Sequence, residues 1–263
     1  MRIDTIKIAI YALSLLAATT SSGEAEEYIS IDVSGSGKQD FYYHDHPDPK
    51  AILIMFEGGP GRFGGIKSPR TGQIDPWGFL DTTRDLFPRK GFAVAAVQPP
   101  SYKYGDLTGL DNARTSARFR RNVEQVTEWV RAKHDRPVWL MGVSLGTQAA
   151  ASIAATTDHK IDGLILISTK TQGTGVSVLS VGLGNIKVPT LVLAHKREAC
   201  PETPLSDAEN IVRALSNSPR AEAKILDGGY SVGRRPCEPL TYHTFNGMEL
   251  KAMNTIADFI NKE

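Results

Sequence analysis

A serine, Ser144, stands between Gly142 and Gly146 in the stretch WLMGVSLGTQAA, residues 139–150. The run before it, PVWLMG, reads as a buried strand, and LGTQAAASIAA after it opens a helix. Ser144 therefore falls on the junction. A sharp strand-to-helix turn strains the serine backbone and exposes its hydroxyl. Bulk at either flank would collide with the turn, so both flanks are glycine. The alanines that follow let the helix lie close to the sheet. The helix start points free N–H groups and a positive dipole end at the serine. The backbone N–H of Leu145 is placed to bind an oxyanion. The chemistry that this pattern suits is attack of a hydroxyl on a carbonyl carbon.

The elements that must hold such a serine alternate along the chain. YISIDVSGSGKQDFYYH reads as two short strands around a Gly/Ser turn. Six continuous apolar runs follow: AILIMF, FAVAAV, PVWLMG, LILIST, TLVLAH and AEAKIL. Runs of this kind suit strands buried on both faces of a parallel sheet. Between them, Phe119, Val123, Val126 and Val130 recur at spacings of 4, 3 and 4, one face of a helix. Ser206 and Glu209 have the spacing of a capping box. Leu250, Met253, Ile256 and Ile260 form the stripe of a last helix. The expected fold is a three-layer α/β/α sandwich with a mostly parallel, eight-stranded sheet.

The chain has 263 residues and a net charge of +1, with 41% hydrophobic and 22% charged residues. That composition suits one globular domain, expected over residues 26–263, and gives no basic face for nucleic acid. Residues 1–25 read as a signal peptide. Arg2 and Lys7 precede the apolar run IAIYALSLLAA, and TTSSGEA supplies small residues before a cleavage point near Ala25. The apolar run is too short to span a bilayer, so the mature chain is expected to be exported, periplasmic or secreted, without stable membrane insertion. Removing the leader takes away two basic and two acidic residues and leaves the net charge at +1. Two cysteines, Cys200 and Cys237, remain. An even count in an exported chain implies a disulfide, worth about 3–4 kcal/mol on the chain-entropy model.

The glycine–serine–glycine turn between strand and helix resembles the nucleophile elbow of the α/β-hydrolase superfamily. The initial hairpin, six further strands and the order of motifs extend the resemblance over nearly all of residues 28–262. In that family a second oxyanion donor comes from the loop after the third strand. Here the loop reads FEGGPGRFGG, and the resemblance carries the role to the backbone N–H of Gly59. Many members have His-Gly at the head of this loop; this chain has Glu57-Gly58. The family order of serine, acid, histidine carries the base to His243, in LTYHTFNG after the last strand. It carries the acid to Glu198, the first carboxylate after TLVLAH, with Glu202, Asp207 and Asp227 as alternatives. His44 and His46 lie in a solvated loop, His134 ends a helix, His159 sits in a polar turn and His195 precedes the acid. Cys200 and Cys237 then lie two residues past the proposed acid and six before the proposed base, so a bridge would tie the two loops together.

The reaction that follows from the resemblance is acyl transfer to Ser144 and hydrolysis of the acyl-enzyme, with no metal or organic cofactor. The substrate is a small molecule, and carboxylic esters are the default. GGPG also occurs in the prolyl iminopeptidase branch of the fold, which gives an aminopeptidase as the alternative. A catalytically silent binding member is the third reading, against which stands the intact serine, glutamate and histidine order. About twenty residues separate the sixth and seventh strands, so no large lid domain is expected. Phe63, Trp77, Tyr102 and Tyr104 lie in loops that could line the site or pack locally. Arg62, Lys67, Arg70, Arg234 and Arg235 could favour anionic substrates, although the balanced composition reads them as scattered surface charge.

Overall fold

Continuous apolar runs become the centre of the sheet because only burial on both faces satisfies them. The computed structural model describes residues 25–67, 74–75, 78–100, 112–156 and 160–262. The leader up to residue 24, Arg70, Trp77, Tyr102, Tyr104 and His159 lie outside the described residues. Strands β1 (Glu27–Val33) and β2 (Gly37–His44) form the expected antiparallel hairpin. β3 (Ala51–Phe56) follows, then a two-stranded ribbon of β4 (Ile66–Lys67) and β5 (Ile74–Asp75). β6 (Phe92–Val97), β7 (Val138–Val143), β8 (Gly163–Ile167), β9 (Thr190–His195) and β10 (Ala221–Leu226) complete the set. The main sheet has eight strands in the order β1-β2-β6-β3-β7-β8-β9-β10. From β6 to β10 every pairing is parallel, and β2 joins β6 antiparallel.

Alternate residues of each central strand feed two separate cores. Ile52, Ile54, Leu140, Leu164 and Val192 face α2 (Ala117–Lys133), α3 (Gly146–Ala154) and α4 (Ala208–Ala214). Leu53, Met55, Trp139, Ile165 and Leu193 face the opposite layer, α1 (Phe79–Thr83) and α5 (Glu249–Ile260). The side-chain period of 2 along a strand produces this division, and it makes the three layers. In α2, Phe119, Val123, Val126 and Val130 are all buried, and Ser116 caps the helix by accepting the Phe119 N–H at 3.2 Å.

Several expectations are corrected. Ser206 and Glu209 do not make a capping box: a 3₁₀ turn, Leu205–Asp207, precedes α4, and no side-chain cap forms. Asp207 instead accepts from Thr171, Gln172 and Asn210, which spends its carboxylate on a loop. Leu250 is 61% exposed; α5 buries Ala252, Met253, Ile256, Phe259 and Ile260. Among the described residues the first crossover, from β3 to β6, has as its helical part only the five-residue α1 and two 3₁₀ turns, beside the β4–β5 ribbon, and the β8–β9 connection holds two 3₁₀ turns and no α-helix. Of the two readings of Phe63, local packing holds: it lies in the core against α1's layer.

Candidate active site

The sequence VSLG places Ser144 one residue past β7, and its backbone adopts φ +50°, the strained left-handed region. The Ser144 N–H donates to Ile167 O at 2.9 Å, and Thr147 donates both its N–H and its hydroxyl to Ser144 O. These bonds hold a conformation that a non-glycine residue would otherwise leave. The flanking glycines are required by close approach. A Cβ on Gly142 would lie 2.5 Å from Gly146 O, and one on Gly146 would overlap Phe56 O. A Cβ on Gly58 would lie 2.9 Å from Ser144 Cβ, which places the glycine-rich loop directly beside the serine.

Glu198 and His243 meet across the carboxyl end of the sheet. Glu198 Oε2 lies 3.0 Å from His243 Nδ1, and both side chains are almost wholly buried. Glu198 Oε1 accepts the N–H groups of Ala199 and Cys200, each at 2.9 Å. Burial pushes the Glu198 carboxyl up, but the hydrogen bond and charge of His243 and the Cys200 N–H pull it below its ordinary value. A carboxylate facing Nδ1 requires a proton there, which leaves Nε2 as the lone-pair nitrogen. Nε2 is buried and has no hydrogen-bond partner. No hydrogen bond joins it to Ser144 Oγ, and among the described residues that hydroxyl has none. The link between them runs through β8: Ser144 bonds Ile167, and the next residue, Ser168, donates its hydroxyl to His243 O at 2.9 Å.

The competing carboxylates are elsewhere. Asp207 is committed as described above. Asp227 pairs with Lys196 and Arg197. The Glu202 side chain lies against Gly173, while its backbone carbonyl accepts the Thr171 and Gln172 N–H groups. His195 is buried, accepts the Arg197 N–H, bonds Gly228 O and stacks on Tyr242, whereas His134 pairs with Asp45 at 2.6 Å.

The loop after β3 is tied down from both ends. Glu57 Oε1 accepts the Gly58 N–H at 2.8 Å, and Oε2 accepts the Asp81 N–H at 2.6 Å. Gly58 is thereby spent as a donor. Gly59 has φ +49°, and its carbonyl accepts from the buried Arg114 at 2.7 Å. Among the described residues the N–H groups of Gly59 and Leu145 have no acceptor. Asp81 receives the N–H groups of Gly64 and Gly65 at 2.9 Å and pairs with Arg84. Burial raises the Glu57 carboxyl to about 7, against the pull of its N–H donors.

Four residues around the site were not singled out from sequence. Thr203 Oγ1 lies 3.2 Å from His243 Nδ1, Ser168 holds the histidine backbone, Arg114 orients the Gly59 carbonyl and Asp81 anchors the loop. Only the positive φ of Ser168, +44°, marks one of them locally, and that is a property of the fold. Cys200 and Cys237 form a disulfide with Cα atoms 4.7 Å apart.

No family model matches this sequence, and no curated protein is similar to it. Solved structures share its architecture. An esterase of Pyrococcus furiosus superposes with a TM-score of 0.63 at 12% identity, covering 90% of this chain and 91% of that one. A thermostable carboxyl esterase of Bacillus coagulans gives 0.61 at 14% identity, with 90% and 98% covered. A Xanthomonas campestris protein described as an α/β serine hydrolase without lid gives 0.57 at 13% identity, with 88% and 94% covered. The chain has the α/β-hydrolase fold.

Proposed function

We propose that the protein is a serine hydrolase that cleaves carboxylic esters through an acyl-enzyme. The observation that carries this reading is the buried Glu198–His243 pair, whose Nε2 is left without a partner at the same sheet edge as the strained Ser144. Ser144 Oγ is the nucleophile. His243 Nε2 takes its proton during attack and returns it to the leaving group. Glu198 keeps Nδ1 protonated, fixes the ring and stabilises the imidazolium. The Gly59 and Leu145 N–H groups bind the oxyanion, since among the described residues each lacks any other acceptor and Gly58 is occupied by Glu57. Water then enters and His243 acts as base a second time.

Esters are favoured over amides because residues 170–189 fold into two short 3₁₀ turns and an open connection. Nothing there builds an acidic cover for a substrate amine, as the aminopeptidase alternative would need. The disulfide, together with the leader-like residues 1–25, favours export to an oxidising compartment. A panel of p-nitrophenyl esters and aminoacyl p-nitroanilides tests the assignment. Ester turnover that Ser144→Ala abolishes is expected; turnover of proline anilides without ester turnover would replace it with the aminopeptidase, and turnover of neither would favour a silent member of the fold.

A further inference from the structure

Beside His243 the loop that carries the disulfide borders a half-open cavity of about 260 Å³. Its wall contains Arg197, Arg234, Arg235, Ser231, Tyr242 and His243 itself. No carboxylate lines it among the described residues. Lys196 stands next to Arg197, which makes four cations in the neighbourhood. Two carboxylates answer them: Asp227 serves Lys196 and Arg197, and Glu238 serves Arg235 at 3.1 Å. Glu198 is turned to His243. Two positive charges are thus in excess here, on a chain whose whole net charge is +1. Arg234 is exposed and has no acidic partner among the described residues.

The cavity is built, not draped. The Arg197 guanidinium lies 4.4 Å over the Tyr242 ring and donates to Tyr242 Oη and to Gly228 O. The N–H groups of Val232 and Gly233 both donate to Leu240 O, and the Thr241 hydroxyl caps the turn on Glu238 O at 2.7 Å. Cys237 then bolts the turn to Cys200. Arg234 and Arg235 project from this braced segment, so little loop entropy stands against an anion that bridges them, and the cost left is that of ordering the two exposed side chains. Guanidinium groups match the planar oxygens of a carboxylate or phosphate better than any other side chain.

We propose that this cavity receives an anionic oxygen group of the substrate, carboxylate or phosphate, and that the enzyme selects esters carrying such a charge over neutral esters of the same length. The kinetic part rests on the Ser144 hydrolase reading; the binding part does not. The cavity has His243, the proposed base, in its wall, which ties it to the candidate active site.

Two measurements test it. In the first, kcat/KM for mono-p-nitrophenyl glutarate is divided by that for p-nitrophenyl valerate, in the wild type and in Arg234→Gln with Arg235→Gln. Both side chains are exposed, so the substitutions remove no core packing. The expected ratio is well above 1 in the wild type and falls about tenfold in the double variant, through KM, and it also falls as sodium chloride is raised. In the second, glutarate and inorganic phosphate are titrated calorimetrically into Ser144→Ala, with and without the arginine substitutions. Binding weakened about tenfold by the substitutions is expected, and the tighter anion identifies which oxygen group the cavity takes. A ratio that the double variant leaves unchanged, or absence of binding by both anions, overturns the proposal. Loss of all ester turnover with anion binding intact would instead strike the hydrolase reading and leave the anion site standing.

Discussion

Cys200 donates its backbone N–H to Glu198 Oε1 at 2.9 Å while its sulfur is bonded to Cys237. One residue therefore joins the acid of the candidate site to the disulfide, and Cys237 lies on the loop that leads into His243. The bridge spans 37 residues of sequence, which the chain-entropy model values at about 4 kcal/mol. Cys200→Ser with Cys237→Ser is expected to lower the melting temperature by about 10 °C, read by circular dichroism. It is also expected to lower kcat severalfold at temperatures where the variant is still folded, because the Glu198–His243 contact loses its brace. An unchanged kcat at low temperature would reduce the bridge to a staple.

The acid can be separated from its competitors by substitution. Glu198→Gln keeps the shape of the side chain but replaces the carboxylate that holds Nδ1 protonated. Its kcat on an ester is expected to fall by about 10³–10⁴-fold, the scale seen when a triad acid is removed. Asp227→Asn, whose side chain pairs with Lys196 and Arg197 and accepts the Gly228 N–H, is expected to stay within about threefold. The reverse order would move the acid role to the end of β10.

The centre of the sheet was legible because its strands are short unbroken apolar runs: AILIMF, FAVAAV and TLVLAH correspond residue for residue to β3, β6 and β9. AEAKIL matches β10 in extent, but Glu222 and Lys224 interrupt it and the strand is a partly exposed edge, not one buried on both faces as expected. The elbow was legible for a related reason: glycine at 142 and 146 is a steric demand that survives in one dimension. The loop partners were not. Thr203, Ser168 and Arg114 act through contacts far apart in sequence, and no local pattern distinguishes them from surface polar residues. Leu250 fits the helical stripe by spacing yet points to solvent, since α5 packs through a wider face of small residues, Ala252 and Ala257, that periodicity in large side chains overlooks. Arg234 and Arg235 looked like scattered charge until the fold set them beside Arg197.

Glu57 gives stability a pH dependence of known sign. Its carboxyl is raised from about 4.5 in the unfolded chain to about 7 in the fold. Below 4.5 it is protonated in both states and its contribution is complete. Between 4.5 and 7 only the unfolded chain releases the proton, so stability falls as pH rises, by about 3 kcal/mol in all. Glu57→Gln stays neutral and is expected to flatten this slope when melting temperatures are compared from pH 4.5 to 8. Parallel curves for the two proteins would show that the fold leaves the Glu57 carboxyl at its unfolded value.

Two glycines beside the serine, Gly146 and Gly58, should fail differently. Gly146→Ala drives a methyl into the Phe56 carbonyl, between two backbones that cannot yield, and is expected to abolish soluble folded protein. Gly58→Ala meets Ser144 Cβ at 2.9 Å and Val143 O at 3.2 Å, a clash that a small shift of the loop relieves. It is expected to fold and to lose most turnover, because that shift moves the Gly59 N–H. Circular dichroism together with ester kinetics checks both.

The nucleophile is the centre of the account, and a fluorophosphonate reaches it most directly. The reagent labels only a serine that a base activates and an oxyanion site accepts. Purified wild-type protein should take up one equivalent, and peptide mass spectrometry should place it on Ser144; Ser144→Ala and His243→Ala should take up none. Folded wild-type protein that remains unlabelled, or that carries the label on another serine, would contradict the assignment.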